Sequence, residues 1–238
     1  MTDHPMIFST PMVLALLDGR KTQTRRILGP GNTLFDGGPW SALHKRQALD
    51  WNGARVGLGP SPAGNSGPYI RLCGEEGMVH RIYPRVQPGD RLWVKEAWRT
   101  DFGSDHLRPS ELDPAKATVW FDASSDWNEG QRPRQRSARF IPRWASRLTL
   151  SVTDLRVQRV QDISEGDAMA EGIESGQTSR GLMWKAYGEE PNCWVDTPRM
   201  SFIRLWDTLH GPDAWGQNDL VVAYTFTVQR GNIDQVKS

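Results

Sequence analysis

Single-residue alternation is clearest near the C-terminus, where Leu220, Val222, Tyr224, Phe226 and Val228 recur at every second position. A period of two belongs to a strand with two distinct faces, so Leu220–Val228 is predicted as one. Leu148, Leu150 and Val152 repeat the pattern, and Leu155 and Val157 resume it after Asp154. That predicts one long bent strand, or two joined ones, across Ser146–Val160. Arg91–Trp98 (RLWVKEAW) follows the turn Pro88-Gly89-Asp90 and is rich in Val and Trp. It reads as a third strand, with Leu92, Val94 and Ala97 inward. Met6–Phe8 and Thr118–Phe121 are shorter candidates, and Tyr69–Leu72 with Met78–Ile82 predicts a hairpin across Gly74–Gly77.

Helical periods are fewer. Thr10-Pro11 supplies a cap and a first-turn proline for a helix of about two turns ending at Asp18, with Gly19 where a C-terminal cap falls. In Ile163–Ile173 (ISEGDAMAEGI), Ser164 and Asp167 form a capping-box pattern, and the helix runs to Glu171 before Gly172 closes it. Thr197-Pro198 repeats the cap-plus-proline signal ahead of Phe202, Leu205, Trp206 and Leu209 at helical spacing.

Between these elements lie long polar stretches. Gly29–Pro88 is dense in Gly, Pro, Asn and Ser, which breaks any strand or helix period and predicts a surface insertion or a lid. Asp101–Pro114, Asp122–Arg139 and Gly176–Asn192 also read as loops. Strands therefore dominate, two or three short helices join them, and no β-α-β rhythm or internal repeat is present. The expected class is α+β: a small mixed barrel with short flanking helices and long loop insertions.

Composition sharpens this picture. In a chain of 238 residues, 37% are hydrophobic and the mean hydropathy is -0.58, polar enough for exposed loops around one modest core or two small ones. The 11 Trp suit core and loop anchors, and the same rings stack on nucleobases. A net charge of +1 excludes the strongly basic footprint of a dedicated duplex-DNA binder. Arginine is nonetheless dense in Arg20–Arg26 and Arg132–Arg147; the second run is either a solvated face or a phosphate-contacting loop. The 2 Cys have no CxxC partner and the 5 His no ligand spacing, so neither a structural zinc nor any other cofactor is expected. With no signal-sequence pattern and no membrane-spanning apolar run, the expectation is a soluble, cytoplasmic protein that does not engage a membrane.

The stretch with the most chemistry is Asp18–Arg26, DGRKTQTRR. No apolar residue interrupts it. Lys21 suits a base or an anion anchor, Thr22 and Thr24 offer hydroxyls, and Arg20, Arg25 and Arg26 offer forked donors.

Gly19–Arg26 (GRKTQTRR) resembles the signature of the ASCH superfamily, G-x-K-x-x-[E/T]-x-R, whose members have a PUA-like β-barrel. Pro88–Val94, Ile163–Ile173 and the closing strand follow in the order that resemblance requires. The Trp-rich middle and Arg143–Arg147 (RWASR) are similar to ASCH-like proteins of phages and prophages. The resemblance implies a single ASCH/PUA-like domain over 1–238, interrupted by insertions at Gly29–Gln87 and Asp101–Arg139. Many members have Glu at the sixth motif position; Thr24 stands there in this chain. That departure is similar to bacterial N4-acetylcytidine amidohydrolases, with their proposed Lys, Thr and Glu set. Carried over by position, the implied catalytic residues are Lys21, Thr24 and Glu171.

In chemical terms a lysine with a lowered pKa would activate the threonine hydroxyl, and Glu171 would act as acid/base on the leaving amine. Arg20, Arg26, Glu96 and Trp144 are the expected substrate-binding residues, and a modified nucleoside or nucleobase the expected partner. A non-catalytic module for single-stranded RNA or a modified base, and a ribonuclease using Lys21 and Arg26, are the rival readings. Each residue also has a plain structural alternative, as a surface charge, a helix end or core packing. Geometry adds one condition. Thr24 and Arg26 share a strand face, but Lys21 joins Thr24 only if it precedes the strand, on the turn after Gly19.

Overall fold

The computed structural model of the chain describes residues 1–29, 33–35, 38–39, 53–60, 66–73, 79–124, 133–188 and 193–236. It is a mixed α+β fold in which strands predominate, grouped into four sheets among the described residues. In chain order the first elements are β1 (Asp3–Ile7), α1 (Thr10–Leu17), β2 (Gln23–Ile27), β3 (Thr33–Phe35), β4 (Gly38–Pro39) and β5 (Arg55–Pro60). Next come β6 (Ser66–Cys73), β7 (Val79–Pro84), β8 (Arg91–Lys95), β9 (Trp98–Thr100), β10 (Val119–Phe121) and β11 (Leu148–Arg159). The chain ends with α2 (Glu165–Ala170), β12 (Ser175–Thr178), β13 (Gly181–Lys185), β14 (Trp194–Val195), α3 (Pro198–His210) and β15 (Leu220–Arg230). Among the described residues no helix is long and apolar enough to cross a membrane. The chain forms two compact units, and β11 and β15 each contribute to both.

The first unit comprises Met1–Thr22, Gly89–Val152 and Phe226–Ser238. Here β1 pairs in parallel with β8, Asp3 opposite Arg91, and β8 pairs antiparallel with the start of β11, Trp93 opposite Thr149. Helix α1 buries Met12, Val13, Ala15 and Leu16. The strand expected over Arg91–Trp98 is broken after Lys95, and Trp98 opens a second pairing, opposite Phe121 of β10. The reason is packing: Trp98 is completely buried and centres an apolar cluster with Leu112, Ile141 and Ala145.

The second unit comprises Gln23–Pro88 and Thr153–Thr225. β2 pairs antiparallel with the first half of β15, Thr225 opposite Gln23 and Val221 opposite Ile27. Thr153 Oγ1 donates to the Thr225 carbonyl at 3.2 Å, tying β11 to the same pair.

Two stretches expected as loops contain sheets. Within Gly29–Pro88, strands β3 to β7 form a five-stranded antiparallel sheet in the order β4-β3-β7-β6-β5. The expected hairpin is the β6–β7 pair, Cys73 opposite Val79, while its turn at Gly74–Gly77 lies outside the described residues. Glycine serves close approach here rather than disorder. Gly57 faces Tyr69 across the β5–β6 pair, and a Cβ at Gly57 would lie 2.6 Å from the Tyr69 ring. Within Gly176–Asn192, β12 and β13 form an antiparallel hairpin that β14 extends. Trp194 covers Gly176 there, where a Cβ would meet its ring at 2.5 Å. Gly and polar residues in these segments hide a strand period because the packing partner is a ring on another strand.

Two of the three expected caps form, whereas the cap expected at Thr10 falls on Ser9, which makes no side-chain cap bond, and Thr10 opens the helix itself. Ser164 Oγ accepts from the Asp167 amide at 3.1 Å, and Thr197 Oγ1 accepts from the Met200 amide at 3.1 Å. On α3, Phe202, Leu205 and Trp206 are buried, whereas Leu209, expected on the same apolar face, is 55% exposed.

Candidate functional site

The junction between α1 and β2 carries the Gly19–Arg26 motif. Gly19 adopts φ +72°, where a side chain would be strained, and its amide donates to the Leu16 carbonyl at 3.1 Å. The Lys21 amide then donates to Ala15 O at 3.0 Å, so Lys21 precedes the strand as the geometric condition requires. It belongs to the first unit, is only 2% exposed, and lies with Nζ 5.9 Å from the centroid of the Phe8 ring.

From Gln23 onward the motif lies in the second unit, and strand geometry divides its side chains. Thr24 and Arg26, two residues apart, share one face, and Arg26 Nη1 donates to Thr24 Oγ1 at 2.8 Å. Arg26 Nη1 also reaches the Arg25 carbonyl at 3.0 Å. Tyr224 stands directly opposite Thr24 in the β2–β15 register and therefore faces the same way. Tyr224 is 1% exposed, and its hydroxyl meets no hydrogen-bond partner among the described residues. Burial pushes this phenol far above its ordinary value, so it is an O–H donor at physiological pH. Burial also pulls the Arg26 guanidinium down, opposed by the nearby charge of Glu171. At the end of α3, burial and then the Arg26 charge lower the His210 imidazole, whose ring centroid lies 4.1 Å from that of Trp206.

The opposite face of β2 presents Gln23 and Arg25. The Arg25 side chain is fully buried; Nη1 donates to Gln23 Oε1 at 2.6 Å and to Glu171 Oε1 at 2.9 Å, and Nη2 to Asp167 Oδ2 at 3.0 Å. Asp167 accepts a second guanidinium, from Arg156 at 2.8 Å. Burial raises its carboxyl, but the bond to Arg156 and the charges of Arg25 and Arg156 outweigh that and hold it below the usual range. Glu171 caps α2 and is 4% exposed, with Gly172 at φ +84° turning the chain away behind it. A buried guanidinium bound to two carboxylates fixes α2 against β2. It thereby fixes Glu171 in place.

The other expected site residues lie in the first unit. Arg20 pairs with Asp18 at 3.0 Å on the surface. Glu96 is buried and gives both oxygens to Arg147, each at 2.9 Å; burial raises its carboxyl, against the pull of Arg147. Its carboxylate orders Arg147, whose guanidinium lies 4.1 Å from the Phe121 ring centroid. Trp144 is partly buried and packs on the cluster around Trp98. The structure thus joins Thr24 to Arg26 and holds Glu171 on Arg25, while Lys21, Arg20, Glu96 and Trp144 are positioned by contacts of their own.

Tyr224 and His210 escaped the sequence reading. Tyr224 looked like one more apolar position of an alternating strand, and only its register opposite Thr24 marks it. His210 was one of five unclustered histidines. Comparison with protein-family models, with curated proteins and with solved structures finds no match for the chain.

Proposed function

We propose that the chain is a PUA-like domain of the ASCH type, a small mixed barrel with flanking helices, whose Thr24–Arg26–Tyr224 face takes a nucleobase or nucleoside. The observation that carries the reading is the buried Tyr224 hydroxyl without a partner, on the same face as the Arg26–Thr24 bond. A buried donor is ordinarily satisfied, and an orphaned one beside a guanidinium and a hydroxyl suits a ligand that brings acceptors. A pyrimidine edge does so through its ring nitrogen and carbonyl oxygen.

The reaction we assign is hydrolysis of the amide on an N4-acylated cytosine. Thr24 supplies the hydroxyl that adds to the acyl carbon, and Arg26 stabilises the negative charge that develops on oxygen. A water relays the hydroxyl proton to the departing exocyclic nitrogen, and a second water then releases the acyl group from Thr24 as a carboxylate. Glu171, held by Arg25 on the other face of β2, positions that strand. Lys21 enters this reading through the motif alone.

Purified protein incubated with N4-acetylcytidine should release cytidine, followed by chromatography. Release should fall at least a hundredfold in Thr24→Ala. Absence of release at high protein concentration overturns the hydrolase. A second reading, a module that binds a modified base without cleaving it, is favoured by one contact. Thr24 Oγ1 accepts from Arg26, a group that cannot act as the base for its proton. Equilibrium dialysis with N4-acetylcytidine would then show binding without turnover.

A further inference from the structure

A groove in the first unit is independent of the Thr24 face. Residues 105–110 form one wall and residues 134–140 contribute the other, around a cavity of about 780 Å³. Its walls are pinned together before any ligand arrives. The Arg136 guanidinium donates to the carbonyls of Leu107 and Ser104 at 2.9 Å each and lies 5.3 Å from the Trp98 ring centroid. Backbone bonds in both directions join Arg136 to Trp98, and the Arg134 amide donates to Asp105 Oδ2 at 2.9 Å. Arg99 holds the Pro133 carbonyl and Lys95 that of Arg139.

What the groove offers a ligand is cationic and aromatic. Arg108 and Arg134 line it, both exposed, and neither guanidinium pairs with a carboxylate among the described residues. His106 lies beside them, and Phe140, 60% exposed, supplies an aromatic ring. The one acid in the lining, Asp105, already accepts the Arg134 amide. Two forked cations beside an open ring match a chain that alternates phosphates with flat bases. A duplex would hide its base faces from Phe140, and the chain's net charge of +1 lacks the broad basic surface a duplex binder uses.

We infer that this groove binds a segment of single-stranded nucleic acid, with Arg108 and Arg134 on phosphates and Phe140 stacked on a base. The arginine-dense run Arg132–Arg147 then has a purpose beyond solvation, carried by Arg134 at the groove. Binding here does not depend on hydrolysis at Thr24, so the two assignments fail separately.

Fluorescence anisotropy of a labelled oligouridine, titrated with the full chain at several salt concentrations, tests the inference. Affinity should fall with salt, and Arg108→Ala and Arg134→Ala should each lower the slope of log K against log salt by about 0.7. Phe140→Ala should weaken binding about tenfold with the slope unchanged. All three positions are exposed, so the variants should keep the wild-type circular dichroism. Unchanged affinity and slope in the Arg108→Ala/Arg134→Ala variant overturns the site. Equal competition by a polyglutamate of matched charge overturns the nucleic-acid assignment, because a mere anion sink has no use for the bases.

Discussion

Tyr224 lies directly across the β2–β15 pair from Thr24, with its hydroxyl buried and unpartnered among the described residues. An orphaned buried hydroxyl costs stability in the ligand-free protein and is repaired by a ligand that accepts from it. Tyr224→Phe should therefore leave the melting temperature equal to or above that of wild type. Affinity for cytidine, by equilibrium dialysis, should drop by about tenfold, the equivalent of roughly 1.4 kcal/mol for one lost bond. A lower melting temperature with unchanged affinity would make Tyr224 a packing residue.

The same phenol gives a prediction in alkali. Its folded value lies above the ordinary 10.0, so its contribution to stability is complete below pH 10.0 and is lost as the pH rises further. Of the 4 Tyr in the chain, Tyr224 should ionise only as the fold opens. Absorbance of tyrosinate at alkaline pH should show this delayed component in wild type and lack it in Tyr224→Phe.

Arg25 tests whether Glu171 is held rather than merely nearby. Arg25→Ala strands Asp167 and Glu171 without their buried cation and should cost about 3–5 kcal/mol in urea denaturation. Replacing the set by apolar residues, Arg25→Met with Asp167→Leu and Glu171→Leu, should restore much of that stability. If Arg25→Ala is as stable as wild type, the pair does not position α2.

Acid weakens the fold through carboxylates that cations hold in their charged form. For Asp3, burial raises the carboxyl, but the bonds to Arg91 and Arg143 outweigh it and keep the folded value below 3.8. The stability this provides is present above pH 3.8 and is lost as the pH falls through the folded value. The gap in urea midpoint between wild type and Asp3→Asn should be widest above pH 3.8 and should close below it. A gap that does not vary with pH would show that the substitution acts by packing alone.

Gly57 and Tyr69 give a steric prediction. Gly57→Ala places a methyl 2.6 Å from the Tyr69 ring, so the ring or the strand must shift, at a cost of about 1–3 kcal/mol. In Gly57→Ala/Tyr69→Ala the two losses should be less than additive, measured by a double-mutant cycle. Strict additivity would mean the ring does not rest on that backbone.

Read alone, the chain determined what depends on neighbours within a few positions. The Ser164 and Thr197 caps, the turn at Gly19 and the strands β11 and β15 follow from spacings of two to four residues, which backbone geometry enforces wherever they occur. The placement of Lys21 before the strand, and of Thr24 and Arg26 on one face, was legible for the same reason. Tertiary structure alone decided the rest. Arg25 meets Glu171 across 146 positions, and Tyr224 meets Thr24 only because β15 pairs with β2 in one register, while a slip of one residue would turn Tyr224 to the other face. The sheet hidden in Gly29–Pro88 was decided the same way, by Tyr69 covering Gly57 on another strand, a contact that no local period encodes.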